Sequence, residues 1–158
     1  MIPASVLDEA RTRLEDAGTD GVEATGLIVA GPDRVARHAV FPDQRAGDPP
    51  SSDTHPGQCT GQWVEVTERG KAELAVALGP DETYAARIHS HPGVAFHSVA
   101  DDANPGLCYE GALSIVVPFY GLGLRAGLET CGVFVRRGRR WLALPPGPER
   151  EQVIHVAP

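Results

Sequence analysis

Apolar residues recur at helical spacing near the start of the chain. Leu7, Ala10 and Leu14 fall on one stripe of a helix, and Ser5 is available as its N-cap. This pattern predicts an amphipathic helix over residues 1–18. The same periodicity returns further along the chain and predicts a second helix over about residues 65–78.

Short runs of branched apolar residues predict the strands of a sheet. The unbroken apolar run 25–30, a turn at 31–33 and an alternating segment over 34–41 predict a hairpin whose first strand is buried. Similar composition predicts further strands over residues 84–88, 112–117, 132–135 and 141–144. Four arginines in the segment 136–140 are best explained as a solvated hairpin turn.

Two stretches lack an apolar pattern. Residues 42–62 hold four prolines and almost nothing to bury, so they are predicted to form an irregular loop, which we expect to border the functional cleft. Residues 146–158 are predicted to be a tail in which His155 is mobile. Because strands and helices do not alternate regularly, the whole chain 1–158 is predicted to be one α+β domain, with a single mixed central β-sheet flanked by about three helices.

Composition narrows the class of protein. The chain has 158 residues, of which 42% are hydrophobic and 22% charged, which is typical of a globular domain and excludes disorder and coiled coil. A net charge of −7 argues against a nucleic-acid binder. We expect no export signal and no membrane span. Three widely spaced cysteines form neither a disulfide framework nor a metal knuckle, so a reduced, cytoplasmic protein is expected.

The candidate chemistry lies between residues 89 and 102. At the end of a strand, His89 and His91 would point to the same face, about 6.6 Å apart at about 3.3 Å per residue. Ser98 is a plausible N-cap for a following helix, and Asp101 lies one turn further on. Two imidazoles and one carboxylate are the ligand set of a catalytic zinc site, whose fourth position stays open for water.

These residues resemble a known motif. JAB/MPN domain metalloproteases of the JAMM type carry an upstream glutamate followed by H-x-H-x(7)-S-x-x-D, and the segment 89–102 is similar to its core. Residues 22–31 are similar to the family's E-x-C-G-[LI]-L-x-x-G strand, which identifies Glu23 as the candidate catalytic glutamate. Residues 111–118 are similar to the strand that follows the metal helix. The resemblance covers about residues 20–145 and implies the α-β-α arrangement of MPN/JAB-like and cytidine-deaminase-like domains.

The chain departs from this motif at two positions. Only six residues separate His91 from Ser98, so either the loop is one residue shorter or the ligand is Asp102, which stands at the family's distance from His91. We prefer Asp101, because a loop tolerates a deletion better than a helix tolerates rotation by about 100°. The second departure is Thr25, where the family often has cysteine, and no role in zinc chemistry is expected for it.

The resemblance implies a role for each candidate residue. One zinc ion per chain would be held by His89, His91 and Asp101, while Glu23 would take a proton from water and return it to the leaving amine. Ser98 would hydrogen-bond the oxyanion. His97 is expected at the rim of the cleft, without a ligand role.

The family's substrates are ubiquitin and ubiquitin-like proteins. The resemblance therefore implies an isopeptidase or peptidase that acts after the C-terminus of a ubiquitin-like protein or its conjugate, with activating or conjugating enzymes as further partners. An alternative within the same fold is a carrier-protein peptidase that releases an amino acid or adduct in a sulfur-transfer pathway. A third is a non-catalytic MPN-type scaffold, against which the intact ligand set argues.

Overall fold

The fold is built on one six-stranded mixed sheet. The computed structural model describes residues 1–47, 63–98, 101–102 and 106–158. The α-helices whose full bounds lie within the described residues are α1 (Ala4–Thr19), α2 (Glu68–Val76) and α3 (Pro148–Val153), and 3-10 helices cover Phe119–Ala126 and Leu128–Thr130. The strands are β1 (Ile2–Pro3), β2 (Thr25–Ala30), β3 (Ala36–Val40), β4 (Gln44–Gly47), β5 (Trp63–Val66), β6 (Thr83–Ser90), β7 (Leu113–Val117), β8 (Gly132–Arg137), β9 (Arg140–Ala143) and β10 (Val156–Ala157).

The strand order of the large sheet is β3-β2-β6-β7-β8-β9. Strands β6 and β7 are parallel, whereas the other neighbouring pairs are antiparallel. The three helices and this mixed sheet confirm the predicted α+β class. β6 and β7 lie in the middle of the order, so residues at their ends are supported by strands on both sides.

One face of the sheet packs on α1. Leu14 of the helix and Ile28, Ile88 and Ile115 of the central strands are almost completely buried in one cluster. Burial of apolar surface of this kind contributes roughly 25 cal/mol per Å², so this layer is the main source of stability. The opposite face carries the polar residues predicted to form the site.

The first helix differs from the prediction at its start. It begins at Ala4 rather than after Ser5, and Pro3 occupies the N-cap position without a side-chain cap. Proline suits this place because it needs no backbone hydrogen bond at a helix start. The predicted buried stripe is confirmed, since Leu7, Ala10 and Leu14 are all buried.

Regular structure extends into two segments predicted to lack it. Within 42–62, Gln44–Gly47 forms β4 and pairs with β5, so that part of the irregular-loop prediction is wrong; residues 48–62 lie outside the described residues. The predicted second helix likewise begins later, at Glu68, because residues 63–66 belong to β5. In the C-terminal segment, Ile154 is buried and β10 pairs with β1. This segment therefore has regular structure and contacts the core.

Among the residues that the structure describes, no helix has both the length and the apolar character required to cross a bilayer. Two of the three cysteines lie in the described part of the chain, both as free thiols. Cys131 is buried and Cys108 is exposed.

Candidate metal centre

The end of β6 presents its side chains to the polar face of the sheet. Residues that alternate along a strand share one face, so Arg87 and His89 point the same way, and His91 follows just beyond the strand. Thr25 of β2 is the antiparallel partner of His89. Ser90 points to the other side, where its hydroxyl accepts a bond from the Ala24 amide at 3.1 Å and ties the two strand ends together.

Strained backbone supports the segment after His91. Phe119 and Tyr120 have backbone φ values of 55° and 53°, which are unusual for residues other than glycine. Their amides donate to the carbonyls of Gly93 and His91, at 3.1 and 2.9 Å. Each such residue costs about 1–3 kcal/mol, and strain of this kind is often found at functional sites.

Asp101 joins the two histidines. Its Oδ1 lies 3.0 Å from Nε2 of His89, and its Oδ2 lies 3.5 Å from Nε2 of His91. One ligand atom from each residue lies within 4.8 Å of the other two, and all three residues are buried. The structure therefore brings together the three residues that the sequence nominates as metal ligands.

Three reciprocal hydrogen bonds between Ser98 and Asp101 hold Asp101 in its turn. The amide and the hydroxyl of Ser98 donate to Oδ2 of Asp101 at 2.9 and 2.6 Å, and the amide of Asp101 donates to the Ser98 hydroxyl oxygen at 3.2 Å. This is the capping-box arrangement, in which an N-cap residue and the residue three positions later satisfy each other. Ser98 is thus an N-cap, and its predicted oxyanion role requires this hydroxyl bond to be released.

The protonation states in this cluster suit metal binding. Burial lowers the pKa of His89 to about 3, helped by the positive charge of Arg87, so the imidazole is neutral at physiological pH. Burial alone would raise the pKa of Asp101, but the adjacent imidazoles of His89 and His91 and the charge of Arg87 hold it below its ordinary value. Neutral imidazole and ionised carboxylate are the forms that bind a metal ion.

The polar atoms also fit a tetrahedral ion. Within the described part of the chain, neither ring nitrogen of fully buried His89 has a hydrogen-bond partner. Its Nε2 nevertheless faces a carboxylate oxygen at 3.0 Å. Two atoms that each lie about 2.1 Å from a tetrahedral zinc ion are about 3.4 Å apart. The separations of 3.0 and 3.5 Å, which involve the two different oxygens of Asp101, lie near this value. One ligand atom from each of the three residues lies within 4.8 Å of the others, so this donor set fits a cation.

Glu23 lies beside the same cluster. It precedes β2 by two residues and is close enough to His91, Asp101 and Arg87 for their charges to affect its pKa. Burial raises the pKa of the half-buried Glu23 carboxyl to about 7, with the charge of His91 opposing the shift. A carboxyl group that titrates near neutral pH can both accept and donate a proton.

The neighbouring Asp102 points away from the histidine pair. Its Oδ1 lies 3.2 Å from Nδ1 of His97, and its side chain is 62% exposed. The structure thus favours Asp101 over the fallback ligand. The side chain of His97 is only 8% exposed and packs against the rings of Phe134 and Trp141, at centroid distances of 4.9 and 5.2 Å. His97 is therefore part of the support of this loop, and its predicted place at the cleft rim is wrong.

The sequence interpretation missed Arg87. Its Nη1 lies 3.2 Å from Oδ1 of Asp101, and its Nε donates to the Thr25 hydroxyl at 3.1 Å. The signal was available, because Arg87 precedes His89 by two residues and so shares its face. Thr25, for which the sequence predicted no role in zinc chemistry, is connected to the candidate metal centre through this bond.

Comparison with known proteins shows the family. No model of a known protein family matches the chain. A JAB1/MPN domain protein from Archaeoglobus fulgidus superposes with a TM-score of 0.48 at 16% identity, over 92% of this chain and 96% of that one. The probable metalloprotease y4jG of Sinorhizobium fredii (strain NBRC 101917 / NGR234) is 56% identical over 121 residues, which cover 74% of this chain and 69% of the relative. Because that similarity spans most of both proteins, the chain belongs to the JAB/MPN metalloprotease family that its motif resembles.

Proposed function

We propose that this metallopeptidase uses zinc to hydrolyse the peptide or isopeptide bond that follows the C-terminus of a ubiquitin-like protein. The observation that carries the proposal is a carboxyl group of raised pKa, Glu23, beside a buried cluster of His89, His91 and Asp101. A metal-ligand set with a proton-transfer group at its edge is the minimum equipment for metal-assisted hydrolysis.

Three side chains would hold the ion. His89 and His91 offer imidazole nitrogens, Asp101 offers a carboxylate, and a fourth position would stay open, as in catalytic zinc sites. Zinc bound there would polarise the scissile carbonyl and make a water molecule easier to deprotonate. The choice of zinc follows from the nitrogen-rich ligand set, since magnesium and calcium prefer sites built from oxygen.

Glu23 is the proposed general base and acid. With a pKa of about 7, its carboxylate accepts the proton of the attacking water and then returns it to the leaving amine. The burial that raises this pKa also keeps the carboxylate from being fully hydrated, so it is a stronger base than a surface glutamate. Ser98 holds Asp101 in its turn, and a hydrogen bond from Ser98 to the oxyanion stays a prediction.

A groove beside the metal centre supports an extended substrate. It encloses about 420 Å³ between the polar face of the sheet and β5. Thr25 and Arg87 line the groove, and Arg87 also contacts Asp101, so the groove lies next to the candidate metal centre. Val64, Val66 and Leu74 provide apolar walls. An extended C-terminal tail is a suitable occupant, because such tails commonly bind along strand edges.

The experiment uses purified zinc-loaded protein and a panel of ubiquitin and ubiquitin-like proteins that carry a short peptide extension or a lysine isopeptide. Mass spectrometry reports the bond that is cut and detects the release of a single amino acid or adduct. The Glu23→Gln variant should lose cleavage while keeping its zinc, and the exposed Glu68→Gln variant should match the wild type. Cleavage by Glu23→Gln at the wild-type rate would remove Glu23 from the mechanism. A zinc-loaded wild type that leaves every substrate intact would overturn the proposed substrate class.

A further inference from the structure

A buried arginine lies behind the candidate metal centre. The side chain of Arg87, which lies on a central strand of the sheet, is only 8% exposed. Burial of a guanidinium group is costly unless charged and polar partners surround it. An arginine at such a place therefore calls for an explanation beyond packing.

The guanidinium group joins a neighbouring strand to a ligand. On one side its Nε donates to Oγ1 of Thr25 in β2, at 3.1 Å. On the other side Nη1 lies 3.2 Å from Oδ1 of Asp101. Because a guanidinium is planar and its N–H groups point in fixed directions, the bond to Thr25 sets the direction of the bond to Asp101.

The contact matters because Asp101 does not belong to the sheet. His89 lies in β6 and His91 directly follows this strand, so both histidines are held by the sheet. Asp101 instead reaches the site from a loop and a helical turn. Its bonds to Ser98 are local, so they shape the turn but do not fix it against the sheet. Arg87 fixes the carboxylate relative to the histidines without being a ligand itself.

We propose that Thr25 and Arg87 form a positioning relay that orients Asp101 for metal binding. Arg87 is a positioning residue in this scheme, and Thr25 orients Arg87. The inference rests on the zinc site of the proposed function, but it does not depend on the identity of the substrate. Residues that orient a metal ligand in this way commonly change metal affinity about 10–100-fold when they are replaced.

The test conserves charge, because the loss of a positive charge beside the ion would itself alter affinity. Thr25→Val removes the hydroxyl but keeps the shape, and Arg87→Lys keeps the charge but loses the planar fork. Thr25→Ser restores the hydroxyl and serves as the matched control. Zinc affinity of each metal-free protein is measured by competition with a chromophoric chelator. Circular dichroism and thermal unfolding of the metal-free proteins show whether each variant is folded.

We expect zinc to bind about 10–100-fold more weakly to Thr25→Val and Arg87→Lys, and with wild-type affinity to Thr25→Ser. The visible spectrum of the cobalt-substituted protein should change shape in the first two variants only, which a general loss of stability would not produce. Wild-type affinity and spectrum in both Thr25→Val and Arg87→Lys would overturn the relay while leaving the zinc site intact. A wild type that binds no zinc would overturn the relay and the proposed function together.

Discussion

The raised pKa of Glu23 has a measurable effect on the stability of the metal-free protein. In the unfolded chain this carboxyl titrates near its ordinary value of 4.5, whereas burial raises its pKa to about 7 in the folded state. Between these two values the folded protein keeps a proton that the unfolded chain has released. The free energy of unfolding must therefore fall as the pH rises through this interval.

The magnitude follows from the width of the interval. At about 1.36 kcal/mol per pH unit, a pKa raised from 4.5 to about 7 gives a contribution of at most about 3.4 kcal/mol. Because Glu23 is only half-buried, water screens part of this effect, and we expect about 1.5–2.5 kcal/mol. The contribution is fully present below pH 4.5 and is lost above pH 7. Burial lowers the pKa of His89, so below its ordinary pKa of 6.5 this residue makes the free energy of unfolding rise with pH, opposite to the effect of Glu23.

The assay compares the wild type with Glu23→Gln, which removes the titrating group and leaves His89 unchanged. Both proteins are freed of metal with a chelator and unfolded in urea at a series of pH values from 4.5 to 8. The difference in unfolding free energy should shift in favour of the glutamine variant by about 1.5–2.5 kcal/mol across this range. Two curves that stay parallel would refute the assignment of a raised pKa to Glu23.

Three further predictions concern the support of the site. Ile115→Ala, in a completely buried position of the central strand, should lower the free energy of unfolding by about 2–5 kcal/mol in urea titrations, and a loss below about 1 kcal/mol would contradict the packing described. His97→Ala should weaken zinc binding in a chelator competition, because the loop that carries the metal-binding carboxylate loses its packing on Phe134 and Trp141; unchanged affinity would count against this support. Arg150→Met leaves three backbone carbonyls without their charged donor and should cost about 3 kcal/mol in thermal or urea unfolding, whereas a neutral effect would show that these bonds contribute little.

Periodicity predicted the central elements because their side chains are buried. The run from Thr25 to Ala30 is buried at every residue, and β7 is almost as apolar, so both strands stand out in the sequence. The sequence could also predict that the candidate ligands lie close together, because His91 directly follows the end of β6, which carries His89, and Ser98 and Asp101 lie on one turn. Spacing within a single element translates directly into geometry.

The sequence could not predict contacts between segments that lie far apart along the chain. β4 has the sequence Gln-Arg-Ala-Gly, which shows no strand pattern, and its backbone pairs with β5 across the segment 48–62. β10 pairs with β1 at the other end of the chain. The sequence places Arg87 on the same face as His89, but it does not identify the partners of Arg87, which lie on a strand 62 residues away and on a turn 14 residues away.

In the proposed zinc site, Asp101 and not its neighbour Asp102 completes the ligand set with the two histidines. Isothermal titration of zinc into metal-free protein tests it directly, with Asp101→Asn and Asp102→Asn as a matched pair. We predict one zinc ion per chain in the wild type and in Asp102→Asn, and a loss of high-affinity binding in Asp101→Asn. Tight binding that survives in Asp101→Asn but is lost in Asp102→Asn would contradict the site described here.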